Sequence, residues 1–163
     1  LADLIAGQGD VERTRRMMAD RFPEYLEDGL EVTPLNLDEA LVFAAIHHAN
    51  GETQQRDVLL LAMEKRIATM HRIRGWGYGA FDVYIHAMHG DRDLAIAGLR
   101  EAIEMGWRAD RPPRPHSWWT LRQDWKLGSL RQDPEFIALM NELEASVYEQ
   151  LRLYEENRDK PLF

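Results

Sequence analysis

The sequence contains no cysteine. Disulfides, thiolate zinc sites and cysteine nucleophiles are thereby excluded. It has no stretch near the roughly 18 consecutive apolar residues of a membrane span. Nor does it have a convincing run of alternating, β-branched residues bounded by hairpin turns. Serine is scarce: Ser117, Ser129 and Ser146 stand outside any glycine-elbow context, so nothing supports a serine nucleophile. Positive charge is in deficit, with 20 Lys and Arg against 28 Asp and Glu and a formal net charge of -8. That balance argues against general affinity for nucleic acid or anionic membranes, because neutralising phosphates needs a basic surface. The opening stretch LADLIAGQGDVERTRR lacks the basic start, apolar run and cleavage site of a secretory signal, and the compartment stays open between the cytoplasm and an anchored periplasmic position.

What is present is helical spacing. A chain of 163 residues with 45% hydrophobic side chains supports one domain, residues 1–163, with a sizeable core. Apolar positions recur at helical intervals nearly throughout, which predicts an all-α fold. Asp133 with Pro134 behind it marks a helix start, and Phe136, Met140, Leu143, Val147, Leu151 and Tyr154 then form one stripe. Asn36 is expected to cap LDEALVFAAIHHA, with Glu39 at the capping-box position and Gly51 at the end. A longer helix follows, with Leu60, Met63, Ile67 and Met70 facing inward. Residues 79 to 89 and 91 to 106 make a further helix, turn, helix unit around Gly90, with Asp91 as cap and Gly106 as terminator. The glycines of GWGYG, residues 75 to 79, allow a bend and are wrongly placed for a phosphate loop.

Gly9, Gly51 and Gly90 thus separate three helix pairs, approximately residues 1–22, 36–73 and 77–107, followed by a C-terminal capping region, 108–163. In GDRDLAIAGLREAIEMGW, Ala95, Leu99 and Ala102 set small, large and small residues five, nine and twelve positions after the glycine. The five-position place holds Thr14 and Arg56 in the earlier units. This pattern resembles the tetratricopeptide repeat (TPR), and LREAIEMGWR, the WW pair and LRQDPEFIALMNELE resemble the C-terminal end of TPR-type domains in bacterial regulatory proteins. The resemblance covers roughly residues 77 to 150. It implies antiparallel helix pairs stacked as an α-α superhelix, a protein or peptide partner held without catalysis, no cofactor, and a longer parent chain carrying an effector domain. By their place on first helices, Asp38, Leu41, His48, Tyr84 and Met88 are expected to line the groove such repeats offer a peptide.

Three other features carry alternative chemistry. From Arg108 to Arg131 the chain has six Lys or Arg against two Asp, interleaved with tryptophan. Arg111, Arg114, Trp118, Arg122 and Arg131 could therefore form a cationic and aromatic surface, or else a stiff wet connector. His86 and His89, with Asp91, share a helix face but complete no metal-ligand set, and His47 and His48 point in different directions. Tyr84, His86 and Trp118 could instead line a small-molecule-sensing pocket; paired glutamates such as Glu101 and Glu104 are the remaining opening for an enzyme. Finally, LRQD occurs twice, at residues 121–124 and 130–133. Asp124 and Asp133 are expected to cap successive helices, which disqualifies them as a general acid and base.

Overall fold

The computed structural model describes residues 9–26, 30–72, 79–106 and 121–158, and these are helical with no strand among them. Helix α1, Val11–Arg21, starts where the Asp10 carboxylate accepts from the Arg13 amide at 3.0 Å. A 3-10 turn at Pro23–Leu26 leads towards α2, Leu37–Ala49. Helix α3, Thr53–Ile67, folds back against α2, and the same arrangement recurs in α4, Ala80–His89, with α5, Arg92–Glu104. Two 3-10 segments, Leu121–Gln123 and Trp125–Leu130, precede the long α6, Pro134–Asn157.

The turns expected at Gly51 and Gly90 share one construction. Gly51 and Gly90 have φ of +74° and +85°. Each sits just past its helix, where its amide and the next one donate back to the last turn: Gly51 to His48 and Glu52 to His47, then Gly90 to Ala87 and Asp91 to His86. Such a paired closure needs a left-handed residue, which only glycine supplies cheaply. Gly9 has a matching φ of +89°, and an acidic residue, Asp10, Glu52 or Asp91, follows each of the three glycines before the next helix begins.

Two expected caps are built differently. The Asn36 side chain makes no cap bond to α2; its Oδ1 accepts from the Thr33 amide at 2.7 Å and its Nδ2 donates to the Glu31 carbonyl at 3.1 Å. A short asparagine amide satisfied by the preceding loop is not available to the helix. Asp91 likewise occupies the cap position of α5 without a side-chain cap bond. Asp133 does what its sequence context predicts, accepting from the Glu135 and Phe136 amides at 2.9 and 3.1 Å.

The core has two parts. One joins Met18, Tyr25, Phe43, Ile46, Leu60, Met63, Ile85 and Met88 from α1 to α4, with Tyr25 stacked on Phe43 at a centroid distance of 4.7 Å. The other joins Val83, Ala95, Leu99, Ala102, Leu127, Leu130, Phe136 and Met140. Ala95, Leu99 and Ala102 are fully buried, so the small-large-small spacing lets α5 lie close on α4. Helix α2 is apolar almost all round, because α1, α3 and α4 all touch it. Two apolar runs end sooner than their spacing predicts. Met70 lies beyond the end of α3 and is exposed, and the α6 stripe is buried only through Leu143.

Candidate functional site

Where the two core parts meet, α4 and the Trp125–Leu130 segment enclose a small charged network. The Asp124 backbone is extended, which turns its carboxylate over the start of the segment, where Oδ1 accepts from the Lys126 amide at 3.0 Å. The same oxygen lies 3.2 Å from Lys126 Nζ, and Oδ2 accepts from the Tyr84 hydroxyl at 2.9 Å. The Lys126 ammonium also stands over the rings of Tyr84 and Trp125, at 5.4 and 5.8 Å. Asp124 is 2% exposed and Lys126 8%. Both carboxylate oxygens are engaged and the group is almost entirely removed from solvent. A buried ion pair with these added hydrogen bonds fixes one arrangement of neighbouring elements. Tyr84, which packs against both core parts, is the bolt between them.

A second polar junction ties the first two units together. His47 Nδ1 meets Glu52 Oε2 at 2.5 Å, and Arg15 Nη1 of α1 donates to Glu52 Oε1 at 2.8 Å. The hydrogen bond to His47, and then Arg15, hold the Glu52 carboxyl below its ordinary range against an opposing effect of burial. A lowered folded-state pKa means stability that is present above the unfolded value, near 4.5, and lost as pH falls through the folded value. Glu52→Gln is therefore expected to melt below the wild type at neutral pH, with the two melting temperatures converging as the pH falls below the ordinary carboxylate range. Thermal melts over that range check it; a constant offset at every pH would contradict it. At the corresponding place in the next unit, His86 Nδ1 is buried and has no hydrogen-bond partner among the described residues. Among the described residues no group of three or more His, Asp or Glu side chains, whether or not it includes His86 and His89, is arranged to hold an ion.

Between α1 and α2 lies a groove of about 470 Å³ lined by Met17, Met18, Phe22 and Val42, with Arg21 on one rim and Asp38 and Glu39 on the other. Flexible thioethers give such a groove an adaptable apolar floor. Arg21 also stands 5.6 Å over the Phe22 ring, at the groove's edge.

The five residues expected to share a groove are dispersed. Asp38 lines the α1–α2 groove; Leu41 and Met88 are buried in the core. Tyr84 is committed to Asp124, and exposed His48 meets Arg56 of α3 at 3.2 Å. Burial first, and then Arg56, lower the His48 pKa. The reason is that α2 is covered on several sides, so its helical periodicity gives no single outward face. Of the basic surface, Arg122 donates to Glu144 and Asn141 of α6 at 3.2 and 2.9 Å, and Arg131 is exposed with a long 3.5 Å approach to the Gln123 carbonyl. Arg111, Arg114 and Trp118 lie outside the described residues. Sequence reasoning missed Lys126 and the groove residues Met17, Met18, Arg21, Phe22 and Val42. The signal for Lys126 was a lysine two positions after a predicted cap, directly after a tryptophan.

Compared with protein-family models, curated proteins and solved structures, the chain matches none of them. No helix among the described residues is long and apolar enough to cross a membrane.

Proposed function

We propose that the chain is a noncatalytic recognition domain, built as a tetratricopeptide-like stack of helix pairs, that holds a peptide segment of a partner protein. The observation that carries this reading is the α1–α2 groove. It lies between the helix that follows the Gly9 turn and the first helix of the next pair, and combines an apolar methionine-lined floor with opposite charges on its two rims. Such a site accepts an apolar side chain and orients the segment around it by charge, which gives specificity without any reacting group. The repeated glycine-acid turns support a modular stack, and the resemblance to regulatory TPR regions supports a place within a larger bacterial signalling protein.

The partner segment is expected to carry an apolar anchor next to a basic residue, which Asp38 and Glu39 would face. Met17 is part-buried and Asp38 exposed, so Met17→Lys and Asp38→Lys change the groove without opening the core. Quantitative affinity capture should show both variants losing the partner roughly tenfold or more at unchanged helix content. Capture of every partner at wild-type levels would overturn the reading.

A further inference from the structure

The pairs α2–α3 and α4–α5 close in one register, and that register carries over to the turn at Gly9. In α4–α5 a Cβ built on Gly98, eight residues after Gly90, would lie 3.5 Å from Val83 Cγ2, seven residues before it. The same two places around Gly51 hold Leu59 and Ala44, both buried. Each time, one large side chain stands against a small residue. Around Gly9 these places hold Met17 and Ala2, again large against small. Five residues before the three glycines stand Leu4, Ile46 and Ile85, and the last two are fully buried. Met17 and Met18, on the floor of the α1–α2 groove, occupy the places of Leu59 and Leu60, which are buried in α3. The groove thus stands where α1 would receive the first helix of its own pair.

We infer that residues 1–8, LADLIAGQ, run back along α1 as that helix, cover the Met17–Met18 end of the groove, and are displaced by the partner segment. These eight residues lie outside the described ones. At 1.5 Å per residue they reach about 12 Å, which takes Leu1 from the Gly9 turn to the level of Met18. Arg21, Phe22, Asp38 and Glu39 stay open beyond it, so a partner can engage that end first. This inference rests on the groove being the recognition site and adds how access to it is regulated. About two turns of helix are marginal alone, which makes the segment a weak and reversible competitor. The partner's apparent affinity is then its intrinsic affinity reduced by the fraction of molecules with the groove open.

The absence of native cysteine allows the seat to be trapped in the full chain. Ala2→Cys with Met17→Cys should form an intramolecular disulfide, as Val83→Cys with Gly98→Cys should at the equivalent place. Ala2→Cys with Arg16→Cys, next to Met17 but exposed, should not. A loose segment would reach positions 16 and 17 alike, so equal cross-linking of both, or none at 17, would overturn the proposal. In affinity capture the 2–17 disulfide should remove the partner, and reduction of the same protein should restore it. Leu4→Asp should raise the apparent affinity about threefold to tenfold at unchanged melting of the rest of the domain. Capture indifferent to both changes would overturn the competition. Absence of capture by every form would overturn the recognition reading and with it the displacement, while the 2–17 disulfide would still decide whether the segment sits on α1.

Discussion

Asp124→Ala is expected to destabilise the domain by about 3–5 kcal/mol, the cost of removing one partner from a buried ion pair. Three groups lose an acceptor at once: the Lys126 ammonium, the Tyr84 hydroxyl and the Lys126 amide. Of these the ammonium dominates, because taking a carboxylate away from a solvent-excluded charge costs far more than taking an acceptor from a neutral donor. The loss should reach both core parts, since Tyr84 packs against each. Urea unfolding followed by far-ultraviolet dichroism and by tryptophan fluorescence should give one shifted transition in both signals. Lys126→Met and Asp124→Ala should be strongly non-additive, because the second change relieves the buried charge that the first leaves behind. Additive losses would mean that the pair is not coupled.

The second large effect is in the first core part. Phe43→Ala should cost about 3–5 kcal/mol, since the ring is fully buried and its removal opens a cavity the surrounding helices cannot close. The stacked contact with Tyr25 adds about 0.5–1.5 kcal/mol to what area alone would give. The Tyr25 phenol, pushed up to about 12 mainly by burial and then by Glu39 and Glu24, donates to the Asn36 carbonyl. Phe43→Ala should therefore also loosen the entry to α2, seen as faster amide exchange at its first turn. Leu61→Ala, at a half-exposed position one helix away, is the control and should change stability by about 0.5 kcal/mol or less.

The elements built from local chemistry were legible in the sequence. Gly51 and Gly90 could be read as helix ends because a left-handed closure selects glycine, and Asp133 with Pro134 as a helix start because both residues favour one position. Asp124 was likewise legible as a cap. Its pairing with Lys126 was not, because that depends on Tyr84, 40 positions away in sequence, closing the other side of the carboxylate. The same distinction governs the candidate site. Periodicity places Asp38, Leu41 and His48 on α2, but which of them stays outside depends on how many helices surround α2, and that is a tertiary property. Asn36 shows the converse failure, a good capping residue drawn away by a neighbouring loop. The α6 stripe was legible as a stripe; its division into a buried and an exposed half follows from where the rest of the body ends.

The central claim is that the chain recognises a partner through the α1–α2 groove, and site-specific photo-cross-linking tests it most directly. A photoreactive phenylalanine is placed at Met17 in one protein and at Leu94, exposed on α5, in another. The Met17 probe should label a single partner segment carrying an apolar residue next to a basic one, and Asp38→Lys should abolish that labelling. The Leu94 probe should not label it. Equal labelling from both positions, or labelling indifferent to Asp38→Lys, would contradict the account.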